Sequence, residues 1–228
     1  MTGKKITIPS EAAYILGIVF IAFGNTLLAR ADLGMSMVVA PAYLAHLKLS
    51  QIWSFVSFGM ASYAVEGILL IVLTVIMRRF KLKYILSFCT AVIYGFVVDG
   101  FMAVIPTVSE ELWAARIGLF IPGMLIVTLG VAFMFHTYLA PEAYDLFVKE
   151  LCQRFGFNAG KCKTVYDLSS LAVSLILSFI LFGGLESIGF GTLVCALLNG
   201  TFIGLYSHFM DKRCSFPCRL KFLKKIYK

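Results

Sequence analysis

Six long apolar runs follow one another along the chain, over residues 12–29, 52–77, 84–105, 113–137, 162–182 and 188–209. Each is close to the roughly 20 residues that an α-helix needs to cross a bilayer core about 30 Å thick. Polar connections separate them, and two of these connections are not simple loops. Residues 29–48 follow the first run, and residues 138–155 follow the fourth. Both contain periodic apolar positions, yet both carry too many polar and turn residues to span. The pattern therefore predicts an all-α membrane protein with six transmembrane helices and two short, non-spanning helices.

The two interruptions occupy matching places in two halves. Aligning Gly24 with Gly130 sets Leu33 against Leu139 and Val39 against Asp145. A one-residue shift at the loop then sets Thr90 against Cys195 and Tyr94-Gly95 against Asn199-Gly200. Each half reads as span, short helix, span, span, with repeat 1 over about residues 12–106 and repeat 2 over about 113–210. Three spans per half is an odd number, so the second half enters from the opposite face. The expectation is a pair of inverted three-helix repeats forming one domain over 1–228, with a basic tail at 211–228. Such repeats are common in secondary transporters, although a duplication kept for packing alone gives the same pattern.

The short helices have readable starts. Ser36 is placed to cap a first helix over 37–47, with its hydroxyl accepting from free backbone N–H groups. Pro141 and Glu142 suit the start of the second, where a missing N–H costs nothing and a carboxylate meets the positive end of the helix dipole. Two dispositions remain open. Re-entrant half-helices would carry their N-termini towards the midplane, whereas interfacial helices would lie among headgroups. Asp145, Lys149, Glu150 and Arg154 favour the interface for the end of the second.

Composition agrees with lipid as the solvent. Apolar residues make up 60% of the chain and charged residues 14%, against about a quarter charged in soluble domains, and mean hydropathy is +0.91. The formal net charge of +8 is explained by topology. With the N-terminus inside, all of the 20 Lys and Arg residues except Arg30, Lys48 and Arg116 fall on the inner side. The positive-inside rule then places both termini in the cytoplasm. The basic excess faces anionic lipid headgroups, and no nucleic acid is expected. Ala29-Arg30-Ala31 looks like a signal-peptidase site, but the apolar run before it is longer than a signal h-region and contains Asn25, so it is read as a span. Cys214 and Cys218 have no neighbouring His or further Cys, and no metal or cofactor is expected. A homodimer is left open.

Ionisable groups inside spans cost about 2.5–3.5 kcal/mol each on insertion scales, so each needs a reason. Glu66, Asp99 and Asp167 lie within the second, third and fifth runs, and Asn25 and Asn199 sit deep in the first and sixth. Carboxylates that charge and discharge in a shared cavity would suit a proton- or cation-coupled carrier. The alternative is separate hydrogen-bonded sites, with Asp167 bonded to Lys163 and Asp99 to Tyr94 or a loop. Arg30 and Asp32 are expected to pair with each other or with water. Asp145 and Ser36 join the candidate pathway if the short helices line it. Gly183-Gly184 and Gly189-x-Gly191 lack the Lys-Ser/Thr of a phosphate loop and read as a tight turn. No nucleophile–base pair is present, so no enzyme is expected.

Several segments resemble the YczE/YitT-type family of bacterial membrane proteins. They are Ala31-Asp32-Leu33-Gly34-Met35-Ser36, Ile93-Tyr94-Gly95-Phe96-Val97-Val98-Asp99 and Tyr144-Asp145-Leu146-Phe147. To these are added 160–168 and 182–192, the latter ending in Gly189-Phe190-Gly191-Thr192. The resemblance implies an integral protein of the bacterial cytoplasmic membrane and brings no defined activity. The leading expectation is a transporter of a small solute or ion by alternating access; the runner-up is a membrane accessory protein that moves nothing.

Overall fold

The computed structural model describes residues 6–108, 112–156, 159–186 and 188–218. Among the described residues eight helices run in the order α1 (Ser10–Ala31), α2 (Ala40–Ile52), α3 (Phe58–Met77), α4 (Leu82–Val104), α5 (Trp113–Phe135), α6 (Ala143–Phe155), α7 (Ala159–Phe182) and α8 (Phe190–Arg213). Six of them are long and apolar enough to cross a membrane, and α2 and α6 are the two short ones. The chain is a multi-pass, all-α membrane protein. Two residues at each end, β1 (Ile6–Thr7) and β2 (Cys214–Ser215), add a small parallel pairing that the apolar pattern did not foretell.

Local chemistry fixes most of the helix ends. Pro9 precedes α1, and the carbonyl of Pro9 accepts from Ala13. Ser57 caps α3, its hydroxyl accepting from the N–H of Met60 at 3.1 Å. Asp32, Arg78 and Gly156 end their helices in the left-handed conformation, a common way to satisfy the last carbonyls. Two boundaries differ from expectation. Helix α2 begins at Ala40 and runs on to Ile52, so α3 starts only at Phe58. Ser36 uses its carbonyl, not its hydroxyl: it accepts from Val39 and Ala40 at 3.0 and 2.9 Å, and Val39 occupies the cap position without a side-chain bond.

The core is centred on α1, which packs most closely against α5 and also against α4. Glycines make this possible, because small residues let helix backbones approach in lipid. A Cβ on Gly24 would sit 2.6 Å from Val127 Cγ2 and 2.7 Å from the carbonyl of Gly123. A Cβ on Gly130 would sit 2.8 Å from Ile21 Cγ1 and 2.9 Å from the carbonyl of Gly17. Around this pair lie α4 and α8, with α3, α6 and α7 further out and α2 between α3 and α7. Arg116 of α5 ties off α1, donating to the carbonyls of Ala31 and Asp32 and to Asp32 Oδ2 at 3.1 Å. Arg30 instead donates to the carbonyl of Met102. Arg30 and Asp32, expected to pair with each other or with water, are thus each bonded to a group on another helix.

Candidate functional site

Helix α6 positions the most unusual group in the chain. Glu66 is the ninth of the 20 residues of α3 and is 0% exposed. Its Oε2 accepts the main-chain N–H of Ala143, the first residue of α6, at 3.0 Å. A carboxylate from mid-span thus satisfies a free donor at the positive end of another helix. Glu142 takes the cap position of α6 but makes no side-chain cap bond, so Glu66 supplies the acceptor that sequence had assigned to Glu142. From this point α6 runs out along α3: Arg154, in its last turn, donates to the carbonyl of Ile76 near the end of α3. One end of α6 lies at mid-span and the other at the helix end, over about 20 Å for 13 residues at 1.5 Å each. That is the geometry of a re-entrant half-helix.

Helix α4 holds the approach to α6. Ser87 Oγ donates to the carbonyl of Pro141 at 2.8 Å, and Thr90 Oγ1 to that of Ala140 at 3.4 Å. Thr90 also meets Tyr14 OH of α1 at 2.5 Å. Four residues further along α4, Tyr94 accepts from Asn25 Nδ2 at 2.9 Å. Tyr94 lies within electrostatic reach of Glu142 and Glu66, as Tyr144 does of Glu66, Tyr166 and Tyr94. These side chains make one buried polar cluster where α1, α3, α4 and α6 meet. Four of its polar atoms, Glu66 Oε1, Ser62 Oγ, Asn25 Oδ1 and Tyr144 OH, are sealed from solvent and have no hydrogen-bond partner among the described residues. Buried polar atoms are rarely left so, and several within one cluster fit a place for a proton, water or small polar guest.

The other candidates divide. Asp145, in the first turn of α6, is within electrostatic reach of Glu66. Asp99 is absorbed in structure: Ser57 Oγ donates to its Oδ2 at 2.5 Å and the N–H of Gly59 to its Oδ1 at 2.7 Å. It therefore caps α3 through the loop and does not bond Tyr94. Asp167 stands half-buried on α7, beside Tyr166, whose ring lies 5.7 Å from Phe147 of α6. The expected bond from Lys163 to Asp167 lies outside the described side chains. Asn199 is half-buried on α8, and its Oδ1 has no hydrogen-bond partner among the described residues. Ser36 contributes a turn before α2.

Glu150, expected among the interfacial charges at the end of the second short helix, is instead buried. It is 0% exposed on α6, paired with Lys81 Nζ at 2.5 Å and with Lys83, and it accepts from Tyr84 OH at 3.3 Å. Burial opposes its ionisation, but the two lysines outweigh burial and hold its carboxyl below the ordinary range. Residues 8–208 match the model of a family described as a family of unknown function (DUF6198). The chain belongs to that family. Searches of curated proteins and of solved structures returned no match. Membership of DUF6198 carries no activity with it.

Proposed function

We propose that the protein is a transporter of a small solute or ion, working by alternating access with Glu66 as its proton-binding group. The observation that carries this reading is the Glu66–Ala143 bond. A buried mid-span carboxylate uses one oxygen to cap a half-helix and leaves the other without a partner. Discontinuous helices that end at mid-membrane are where transporters build their sites. Protonation of Glu66 would weaken its hold on α6, so proton occupancy and the position of the half-helix are linked in this reading.

Inverted repeats are part of the proposal, and contacts on both sides of the molecule support them. The shift that aligns Gly24 with Gly130 also carries Gly17 to Gly123. Gly17 meets Gly130 across the α1–α5 contact, and Gly24 meets Gly123, so each close pair is the image of the other. Lys48 at the end of α2 sits over the ring of Phe182 at the end of α7. Its image is Arg154 of α6 at the end of α3. We place the protein in the bacterial cytoplasmic membrane with both termini inside, on the charge count and the YczE/YitT-type resemblance.

One observation favours the accessory reading. Both oxygens of Asp99 are engaged at the start of α3, so Asp99 does not share a cavity with Glu66 as a coupled carboxylate. Uptake decides between the two. Purified protein in liposomes, offered a panel of small solutes with and without a proton gradient, is expected to accumulate at least one of them. No uptake above empty liposomes, from protein shown to be folded, would establish the accessory reading.

A further inference from the structure

We infer that the α3–α4 turn and the end of α6 form a binding site for a single anionic diacyl phospholipid. Two adjoining hollows carry the inference. The first is a groove of about 510 Å³ between α3 and α4, lined by apolar side chains including Leu70, Ile71, Val75, Ile85 and Phe88. Phe80 and Tyr84 line it as well. The second is a polar hollow of about 420 Å³ lined by Met77, Arg79, Lys81, Glu150 and Arg154. Phe80 lines the groove and its neighbours Arg79 and Lys81 line the polar hollow, and Tyr84 joins the two, lining the groove and donating to Glu150 at 3.3 Å. An apolar slot that opens into a cationic pocket matches one molecule: an acyl chain joined to a negatively charged phosphate.

The charge balance names the headgroup. Glu150 pairs with Lys81 and Lys83, which leaves a surplus of positive charge at the rim. Arg79 is exposed and makes no ion pair among the described residues. Arg154 uses Nη1 on the carbonyl of Ile76 and the sulfur of Met77 and lies over the Phe155 ring, while it lines the hollow without an ion pair among the described residues, and its Nε and Nη2 donors suit a phosphate. The packing position of Glu150 does not by itself call for a charge. At the matching place in the first half, Glu150 is replaced by Leu44, which is also 0% exposed. An apolar residue thus serves the packing there, and the ionic cluster is special to the end of the molecule that the charge count places in the cytoplasm. The site is independent of whether the protein transports.

Native mass spectrometry of the detergent-solubilised protein with added phosphatidylglycerol or phosphatidylcholine tests the site. Wild type is expected to retain one phosphatidylglycerol and to discriminate against phosphatidylcholine. Arg79→Gln with Arg154→Gln is expected to weaken retention roughly 25-fold, on the scale of two basic residues at a membrane surface. Thr74→Trp, which fills the groove, is expected to lose the lipid with the basic pocket intact. Equal retention of both lipids by wild type overturns the inference, and that measurement needs no variant. Displacement of the lipid by millimolar inorganic phosphate, with no effect of Thr74→Trp, overturns it in favour of a free-anion site.

Discussion

Glu66 Oε2 and the main-chain N–H of Ala143 meet at 3.0 Å, halfway along α3 and at the first residue of α6. This one bond sets the depth of the half-helix. It also separates two roles of the same carboxylate, as an acceptor and as a charge. Glu66→Gln keeps an acceptor oxygen for Ala143 and removes the titratable group. It is expected to fold with near wild-type thermal stability while losing any response of uptake to a proton gradient. Glu66→Ala leaves the donor unsatisfied in the core and is expected to cost about 1–3 kcal/mol, read as a lower unfolding midpoint in detergent. A Gln variant that keeps full proton-driven uptake would remove Glu66 from the mechanism.

Asp99 gives the contrasting case. Both its oxygens are taken by the start of α3, through Ser57 and Gly59. Asp99→Ala is expected to lower stability by about 0.5–2 kcal/mol, the range for a lost cap, with proton dependence of uptake unchanged. A changed proton dependence in a folded Asp99→Asn protein would return Asp99 to the candidate pathway.

The spans were legible because the bilayer imposes one length on any helix that crosses it. The run ending at Met77 is a case in point. Its end matches that of α3, but its start at residue 52 lies six residues early, because Trp53, Phe55 and Val56 of the α2–α3 connection continue the run without a charged residue. Glu66 was legible as costly, but its partner was not, since a backbone N–H at a helix start has no side-chain signature. Glu150 did leave a signal. Ala143, Phe147, Glu150 and Arg154 follow i, i+4, i+7, i+11, which puts Glu150 on the face that meets α3 and α4. Its lysines were visible only as a basic turn, because nothing in a linear reading folds residue 81 back on residue 150.

Glu150 gives the chain an acid-sensitive brace. Its carboxyl is held below the ordinary range, so its stabilisation is present above the unfolded value near 4.3. It is lost as pH falls through the lowered folded value. Wild type is expected to lose thermal stability as pH drops from 5 towards 3. Glu150→Gln is expected to start about 1–3 kcal/mol less stable at pH 7 and to show a shallower decline. Parallel pH profiles for the two proteins would contradict the brace.

The proposed orientation rests on the charge count and can be measured without knowing a substrate. Reporters fused or attached at positions 80 and 225 are expected on the cytoplasmic side, and one at 110 on the outer side. A reporter at 80 found outside would invert the topology and place the Glu150 cluster on the outer face.

The glycine contacts test the two-fold relation between the halves by stability alone. In the proposed repeat Gly24 and Gly130 are images of each other, and each presses on a branched side chain and a carbonyl at 2.9 Å or less. Gly17 and Gly123, the other image pair, are looser, with carbonyl oxygens 3.1 Å from an added Cβ in both cases. Alanine at Gly24 or at Gly130 is therefore expected to cost a similar amount, about 1–3 kcal/mol from overpacking. Alanine at Gly17 or Gly123 is expected to cost less. Gly100→Ala is the control: nothing lies within 4 Å of an added Cβ there, and alanine in a helix interior is worth roughly 0.5–1 kcal/mol more than glycine. Thermal unfolding of the five variants in one detergent gives the ranking. If the costs at Gly24 and Gly130 differ more from each other than from those at Gly17 and Gly123, the matched contacts reflect local packing and not a two-fold repeat.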